Sequence, residues 1–131
     1  MKDRRKNISK FQKTLKTSIK KAFPLFRLEE EVYIGEGLRV DLYMPDFDLA
    51  IEAQGKQHYA YTPHFHGASF SRQLKRDSRK AEILDNQETI LLEFRYDEPI
   101  EDVKYVKEKI LRAIEDMSYT HKEIFKILEN E

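Results

Sequence analysis

Residues 38–54, LRVDLYMPDFDLAIEAQ, decide the fold. Apolar side chains occupy every second position in 38–44, and the same period returns in 47–54 after a break at Pro45 and Asp46. A period of two is typical of half-buried β-strands, and Pro with Asp ends a strand. The segment therefore predicts a β-hairpin, whose apolar face carries Leu38, Val40, Leu42, Met44, Phe47, Leu49, Ile51 and Ala53.

The loop of this hairpin determines which residues face each other. With two residues in the loop (46–47), or four (45–48), opposing residue numbers add to 93, so Asp41 faces Glu52. Like charges directly across two strands repel each other, and a divalent cation between them would remove the repulsion. Gln54 lies on the same face. In the alternative interpretation the register is different, and both acids are solvent-facing strand residues.

The sequence before the hairpin predicts a helix and a short strand. One helical stripe is formed by the apolar residues Ile8, Phe11, Leu15 and Ile19. Asn7 or Ser9 can cap the start of this helix, and Pro24 ends it. A short extended run around 32–34 follows, and it stops at a turn in 35–37.

The sequence after the hairpin predicts a ring-rich loop and further alternation of helix and strand. A helix is expected from about Phe70 to Asn86, with Leu74, Ala81 and Leu84 towards an apolar face. Residues 89–94, TILLEF, form a short apolar run of the kind that makes a buried strand. Helices are then expected over 103–114 and from Ser118 or Thr120 to near Asn130. The order α-β-β-β-α-β followed by two helices predicts a single α/β domain over residues 1–131.

The overall composition excludes several classes of protein. The chain has 131 residues, 24 Lys and Arg against 24 Asp and Glu, and no Cys, which excludes disulfides and thiolate metal sites. Cysteine-free chains suit a reducing compartment, so we expect a cytoplasmic protein. No stretch approaches the roughly 18 apolar residues of a membrane span, and no apolar run follows the charged N-terminus, so neither a membrane nor a secretory signal is expected.

The zero net charge conceals a strong segregation of charges. Residues 1–22 contain nine Lys or Arg and one acidic residue. Residues 54–80 contain six Lys or Arg and one acidic residue. Between them, residues 23–53 contain two basic and eight acidic residues. Two basic blocks around an acidic centre favour a surface that binds a polyanion. The alternative is that each basic block is simply a solvated helix face.

Two segments resemble the PD-(D/E)xK nucleases. In that pattern an Asp late in one strand precedes a short turn and then Glu-x-Lys, or a variant, in the next strand, as in VDLYMP (40–45) and IEAQ (51–54). The longer run IEAQGKQHY (51–59), the ring-rich loop and KRD (75–77) are similar to phage and bacterial endonuclease-like proteins related to the very-short-patch mismatch-repair endonuclease. The resemblance implies a restriction-endonuclease-like core over about 8–95, with a mixed sheet flanked by helices and a C-terminal helical cap over about 100–130.

The resemblance also implies the site residues. Asp41 and Glu52 would bind Mg²⁺ or Mn²⁺, with the carbonyl of Ala53 as a further ligand. Gln54 stands where many members have the Lys that activates the attacking water, and Gln supplies no charge. His58 would act as base or acid. A first-helix Glu that many members use for metal binding is absent. The implied catalytic set is Asp41, Glu52, Gln54 and His58, supported by Gln57 and Asp77.

The function implied is that of a metal-dependent DNA endonuclease, phage-encoded or bacterial, which nicks one strand or cuts both. One alternative is a Holliday-junction or branched-DNA resolvase of the same fold, with a possible homodimer formed through the C-terminal helices. Another is a catalytically weak nuclease-fold module that binds DNA or a protein. The basic blocks would hold backbone phosphates. The residues assigned to phosphate contacts are Lys13, Lys16, Lys20, Lys56, Arg72, Lys75, Arg76, Arg79 and Lys80.

Overall fold

The structure is a computed structural model that describes residues 8–55 and 67–115, the side chains of 67–74 excepted. It is an α/β fold, as the sequence predicts, and the predicted order of elements is confirmed as far as residue 115. The elements are α1 (Lys10–Ala22), β1 (Glu29–Gly35), β2 (Leu38–Met44), β3 (Leu49–Gln54), α2 (Gly67–Asn86), β4 (Ile90–Arg95) and α3 (103–115). The helix predicted near 118–130 lies outside the described residues.

The four strands form one mixed sheet in the order β1-β2-β3-β4. β1, β2 and β3 are antiparallel neighbours, whereas β4 pairs with β3 in parallel, and α2 makes the crossover between them. Parallel neighbours need such a crossover, usually a helix. Within the described residues β3 is therefore a central strand, which pairs with β2 over Leu49–Ile51 and with β4 over Leu49–Gln54.

The predicted register of the hairpin is confirmed. Leu42 pairs with Ile51, Tyr43 with Ala50 and Met44 with Leu49, each pair adding to 93. The connection is the four-residue version, a 3₁₀ turn at Pro45–Phe47 followed by Asp48 in the left-handed region at φ 49°. The Asp48 carboxylate accepts hydrogen bonds from the Tyr43 hydroxyl (2.7 Å) and from Thr89 Oγ1 (3.0 Å). Asp48 therefore ties the hairpin to the residue that precedes β4.

Helix α1 follows from its local sequence. Ser9 is the N-cap, and its hydroxyl accepts a hydrogen bond from the backbone N–H of Gln12 (3.1 Å), which satisfies one of the free donors of the first turn. Leu15 and Ile19 of the predicted stripe are fully buried against the sheet. The periodicity missed Ser18, which is also buried and donates from Oγ to the carbonyl of Ile100 at 2.5 Å.

The core divides into two clusters, one of which contradicts the simple alternation of β2. Leu42 and Met44 lie in the larger cluster, with α1 and α3 residues. Val40 lies instead in a smaller cluster with Ala50 and Leu84 of α2. The sequence placed all of these β2 residues on one face, which is wrong for Val40. The alternation breaks at Asp41, and the neighbouring strand is irregular at the same level, where Glu31 has φ 50°.

Two further expectations from the sequence need correction. Ala81 is exposed rather than on the apolar face of α2, whose buried residues in this part are Ile83 and Leu84. In β4 only Phe94 is fully buried, and the three apolar residues before it are half-buried. The reason is that β4 lies at the edge of the described sheet, so its apolar run is not covered as a central strand would be.

Helix α3 is held against the end of β4 by charge. Lys109 donates to the Glu98 carboxylate (2.5 Å) and to the carbonyl of Glu93 (2.6 Å), and its ammonium lies 4.3 Å from the ring centroid of Phe94. Tyr105 of the same helix donates its hydroxyl to Glu98 at 2.6 Å.

Among the described residues, no helix is long and apolar enough to cross a membrane.

Candidate functional site

The two predicted acids lie where the backbone ladder of the hairpin stops. The last paired residues between β2 and β3 on this side are Leu42 and Ile51. One step further, the Asp41 backbone N–H donates to Glu52 Oε2 at 3.2 Å, and the Ala53 backbone N–H donates to Asp41 Oδ2 at 2.7 Å. Each carboxylate thus accepts a backbone donor of the opposite strand. The sequence-based prediction that Asp41 and Glu52 lie together is confirmed.

The proximity of these acids changes the protonation of Asp41. Burial raises its pKa first, the charge of Glu52 adds to the effect, and the pKa rises to about 8. The hydrogen bond from Ala53 and the charge of Lys80 oppose the rise. At neutral pH Asp41 therefore retains its proton, which relieves the repulsion that the register predicts.

A lysine from α2 also neutralises the pair. Lys80 Nζ lies 2.9 Å from Glu52 Oε1, and the Lys80 side chain is 19% exposed while that of Glu52 is 7% exposed. An ion pair this well buried is screened little by solvent, so losing either partner is expensive. The sequence predicts only a divalent cation as the counter-charge for the two carboxylates. The structure shows an ammonium of the chain itself in contact with one of them.

Gln54 contributes a polar atom that lacks a partner. Its side chain is 6% exposed, and Oε1 accepts no hydrogen bond within the described part of the chain. A buried amide oxygen without a donor costs about 1–3 kcal/mol, so it is uncommon away from a binding site. The oxygen belongs to a residue that lines the same cavity as the two acids.

A cavity of about 190 Å³ brings seven of the predicted site residues together. Its wall is formed by two strand ends and by one turn of α2. The lining residues are Asp41, Glu52, Ala53, Gln54, Arg76, Asp77 and Lys80. Asp77, predicted from the resemblance as a supporting acid, thus lies at the site. Lys56, Gln57 and His58 lie outside the described residues, and so does the side chain of Arg72.

The oxygen donors at this cavity fit a hard divalent cation. Asp41 and Glu52 supply carboxylates, and Gln54 supplies an amide oxygen, which are ligand types that Mg²⁺ and Mn²⁺ accept. Within 8–55 and 75–115, no three His, Cys, Asp or Glu side chains lie close enough together to hold a metal. Such an ion would therefore rest on two carboxylates and neutral oxygens, an arrangement that suits Mg²⁺ because it keeps several waters.

The remaining basic residues fall into two groups. Lys75 and Arg76 of α2 are exposed, whereas Arg79 is held by Glu36 (2.6 and 3.0 Å) and Glu82 (3.0 Å). Arg79 therefore ties α2 to the turn between β1 and β2. On α1, a separate concavity of about 380 Å³ is lined by Ile8, Lys13, Lys16, Thr17, Lys20 and Glu30.

Within the α1 concavity the three lysines differ in their contacts. Lys13 and Lys20 are exposed, whereas Lys16 is half-buried and forms an ion pair with Glu30. Among the residues that the structure describes, the two exposed lysines form no ion pair that a phosphate would first have to break. Lys16 would have to leave its carboxylate, so we expect it to contribute less to binding.

Sequence reasoning missed the contact of Lys80 with Glu52. It grouped Lys80 with the phosphate-contacting residues, because bases at 72, 75, 76 and 79 make one helical stripe. Arg76 and Lys80 are one turn apart, so they form one edge of that stripe, and this edge faces the carboxylates. Helical spacing places residues 76 and 80 on one side of the stripe and residues 72, 75 and 79 on the other. The spacing does not show which of the two sides faces the sheet.

The comparisons with known proteins give one weak relationship. The uncharacterized protein 307L of Invertebrate iridescent virus 6 is 36% identical over 61 residues, which is 45% of this chain and 31% of the viral protein. The matched stretch thus spans less than a third of that relative's length. No family model matches the chain. No solved structure matches it either.

Proposed function

We propose that the protein is a divalent-metal-dependent DNA endonuclease with a restriction-endonuclease-like core. The observation that carries the proposal is the pair of half-buried Asp41 and buried Glu52, side by side at the point where β2 and β3 stop pairing. Such a pair works against folding, and residues that work against folding are concentrated at functional sites. The order of elements and the mixed sheet are compatible with the core that the resemblance implies.

The chain's own groups suit hydrolysis of a phosphodiester. A divalent ion bound by Asp41 and Glu52 would supply the Lewis acidity that lowers the pKa of the attacking water and neutralises charge on the phosphate. Gln54 would orient a water or an ion through its free amide oxygen. Arg76, exposed at the rim of the cavity, would hold a neighbouring phosphate. The small polar cavity would admit a phosphate rather than an apolar ligand.

We further propose that α1 provides a second contact with the DNA backbone. Its exposed lysines 13 and 20 line the basic concavity described above. A Lys13→Glu/Lys20→Glu double variant should raise the Kd for DNA about tenfold or more and lower the salt slope by about 2, because two phosphate contacts are lost. Fluorescence anisotropy with labelled duplex DNA in EDTA measures both without cleavage.

The matched control for that experiment is Lys104→Glu/Lys107→Glu, which reverses two exposed lysines on α3. This control has the same net charge change and should bind DNA with nearly wild-type affinity. Equal weakening in both double variants would contradict an interface on α1, since it would show an effect of total charge alone.

Cleavage assays test the proposed activity directly. Plasmid DNA and a four-way junction are incubated with the protein in Mg²⁺ or Mn²⁺, and Asp41→Ala is compared with Asp85→Ala, an exposed acid on α2. We expect the wild type and Asp85→Ala to cleave, and Asp41→Ala to lose about 1,000-fold or more of the rate, because the metal would lose one of its two carboxylates. Junction cleavage in preference to plasmid would identify a resolvase.

Two results would overturn the proposal. Absence of cleavage of any DNA by the wild-type protein would contradict an enzyme, and salt-dependent DNA binding in that case would identify a binding module. Full cleavage by the Asp41→Ala variant would show that the reaction does not take place at this carboxylate pair.

A further inference from the structure

We propose that Lys80 of α2 supplies the positive charge that the strand position of Gln54 lacks, and that its ammonium contacts the scissile phosphate. This inference rests on the proposed nuclease function. It assigns a catalytic role to a residue that the sequence pattern placed among the surface contacts with DNA.

The position of Lys80 differs from that of a backbone-contacting lysine. Its side chain is 19% exposed, whereas Lys75 and Arg76 on the same helix are exposed. Its Nζ lies 2.9 Å from Glu52 Oε1 and lines the cavity that contains both acids. A lysine ammonium has three donors, and the contact with Glu52 uses one of them. Within the described part of the chain Nζ has no second acceptor, so the other two donors can meet an anion that enters the cavity.

The side chain of Gln54 supplies no positive charge to the cavity, so a positive charge there has to come from another element. Gln54 follows Glu52 by two residues on β3 and lines the same cavity, yet its amide carries no charge. Its Oε1 has no hydrogen-bond partner among the described residues. The cavity thus receives a neutral oxygen from the strand and an ammonium from the helix. Together these groups provide what a single lysine at position 54 would provide.

The chemical step needs this charge when the phosphate becomes more negative. The oxygen of a water molecule forms a bond to phosphorus, the bond from phosphorus to the leaving oxygen breaks with its electron pair going to that oxygen, and solvent accepts the proton of the water and protonates the leaving oxygen. Lys80 stays protonated throughout and donates a hydrogen bond to a non-bridging oxygen. Such a contact, strengthened in the transition state, is worth about 100-fold to 1,000-fold in rate.

The first test compares Lys80→Met with Lys109→Met. Lys109 is a matched control, because it is 20% exposed and pairs with Glu98 at 2.5 Å, far along the chain from the cavity residues. We expect Lys80→Met to lower kcat about 100-fold or more and to leave the Kd for DNA, measured in Ca²⁺, within about threefold of wild type. Lys109→Met should keep the wild-type kcat at temperatures well below its Tm.

The binding measurement separates the two roles of a lysine. A contact that only holds the DNA backbone would raise the Kd and lower the salt slope by about 1, with kcat little changed. That pattern in Lys80→Met would overturn the inference. Wild-type kcat in Lys80→Met would also overturn it, while cleavage by the wild type and its loss in Asp41→Ala would leave the proposed function intact.

The second test moves the charge from the helix to the strand. Gln54→Lys combined with Lys80→Met returns an ammonium to the cavity, and we expect it to recover about tenfold or more of the lost rate. The double variant also restores a counter-charge for Glu52, so it is decisive where Lys80→Met alone fails to fold. If Lys80→Met folds, a folded double variant that cleaves DNA no faster than Lys80→Met would overturn the inference. If Lys80→Met does not fold, a folded double variant that cleaves no DNA would overturn it.

Discussion

The Asp41→Asn variant is expected to unfold at a higher temperature than the wild-type protein, and the difference is expected to be larger at pH 9 than at pH 6. The cause is the raised pKa of Asp41, about 8 in the folded state, well above the usual value of an aspartate. The folded protein therefore holds a proton that the unfolded chain has already released. Stability from this proton is complete below pH 4 and is lost as the pH rises through 8.

The size of this effect follows from the same shift. Between pH 6 and pH 9 the wild type should lose about 2–3 kcal/mol through Asp41, because up to about pH 8 the folded protein still holds the proton that the unfolded chain has released. The Asp41→Asn variant cannot ionise, and its side-chain oxygen can still accept the hydrogen bond from Ala53. Thermal or urea unfolding in EDTA at both pH values measures the difference. A stability difference that is equal at the two pH values would contradict the assignment.

Two controls sharpen this result. Asp85→Asn removes a negative charge from an exposed position on α2 and should unfold in parallel with the wild type at both pH values. Glu52→Gln, in the same pair of acids, should instead destabilise the protein, because Lys80 would lose the carboxylate that it contacts at 2.9 Å. The two substitutions are thus expected to change the free energy of unfolding in opposite directions. This result is expected only if Lys80 neutralises Glu52 and a proton neutralises Asp41.

Phe94→Ala is expected to cost about 3–5 kcal/mol of the free energy of unfolding. Phe94 is fully buried in the larger core cluster and pairs in parallel with Ala53, directly beside the acid-bearing strand. Its removal leaves a cavity between the sheet and α3, and Lys109 loses the ring 4.3 Å from its ammonium. For a domain of this size each kcal/mol lowers Tm by several degrees, so Tm should fall by roughly 10–20 °C. The loss is a large part of the about 5–15 kcal/mol by which small domains are stable.

Urea unfolding followed by circular dichroism measures this loss. Phe26→Ala is the matched control, because the chemical change is identical but the ring is 43% exposed. We expect Phe26→Ala to cost about 1–2 kcal/mol, since nearly half of this side chain is in water and burial stabilises it less. Equal costs for the two variants would contradict the core assigned to Phe94.

Much of the hairpin and of the acid pair could be predicted from the sequence, because both depend on local geometry. Side chains of a strand alternate with a strict period of two, and a loop of given length allows few registers. The pairing of Leu42 with Ile51 therefore followed from a break at Pro45, and the position of Asp41 opposite Glu52 followed from that pairing. Helix α1 was equally local, since Ser9 and the apolar stripe define its start and its buried face.

Other features depended on contacts between segments far apart in the sequence. No local pattern shows that β4 pairs in parallel with β3 or that it forms the edge of the described sheet. The change of face at Val40 also escaped the alternation, because it arises where β2 leaves β3 and packs against α2. These features are set by how whole faces bury each other, and a sequence period does not encode that choice.

The site shows the same division in its charges. The sequence by itself determined that two carboxylates face each other across a hairpin, since strand period and loop length are properties of neighbouring residues. Only the tertiary structure decided what neutralises them. The packing of α2 onto the sheet brings Lys80 to Glu52 and buries Asp41 enough to retain its proton. The physical reason is that pKa shifts and ion pairs depend on burial and on distances across the fold, which packing creates.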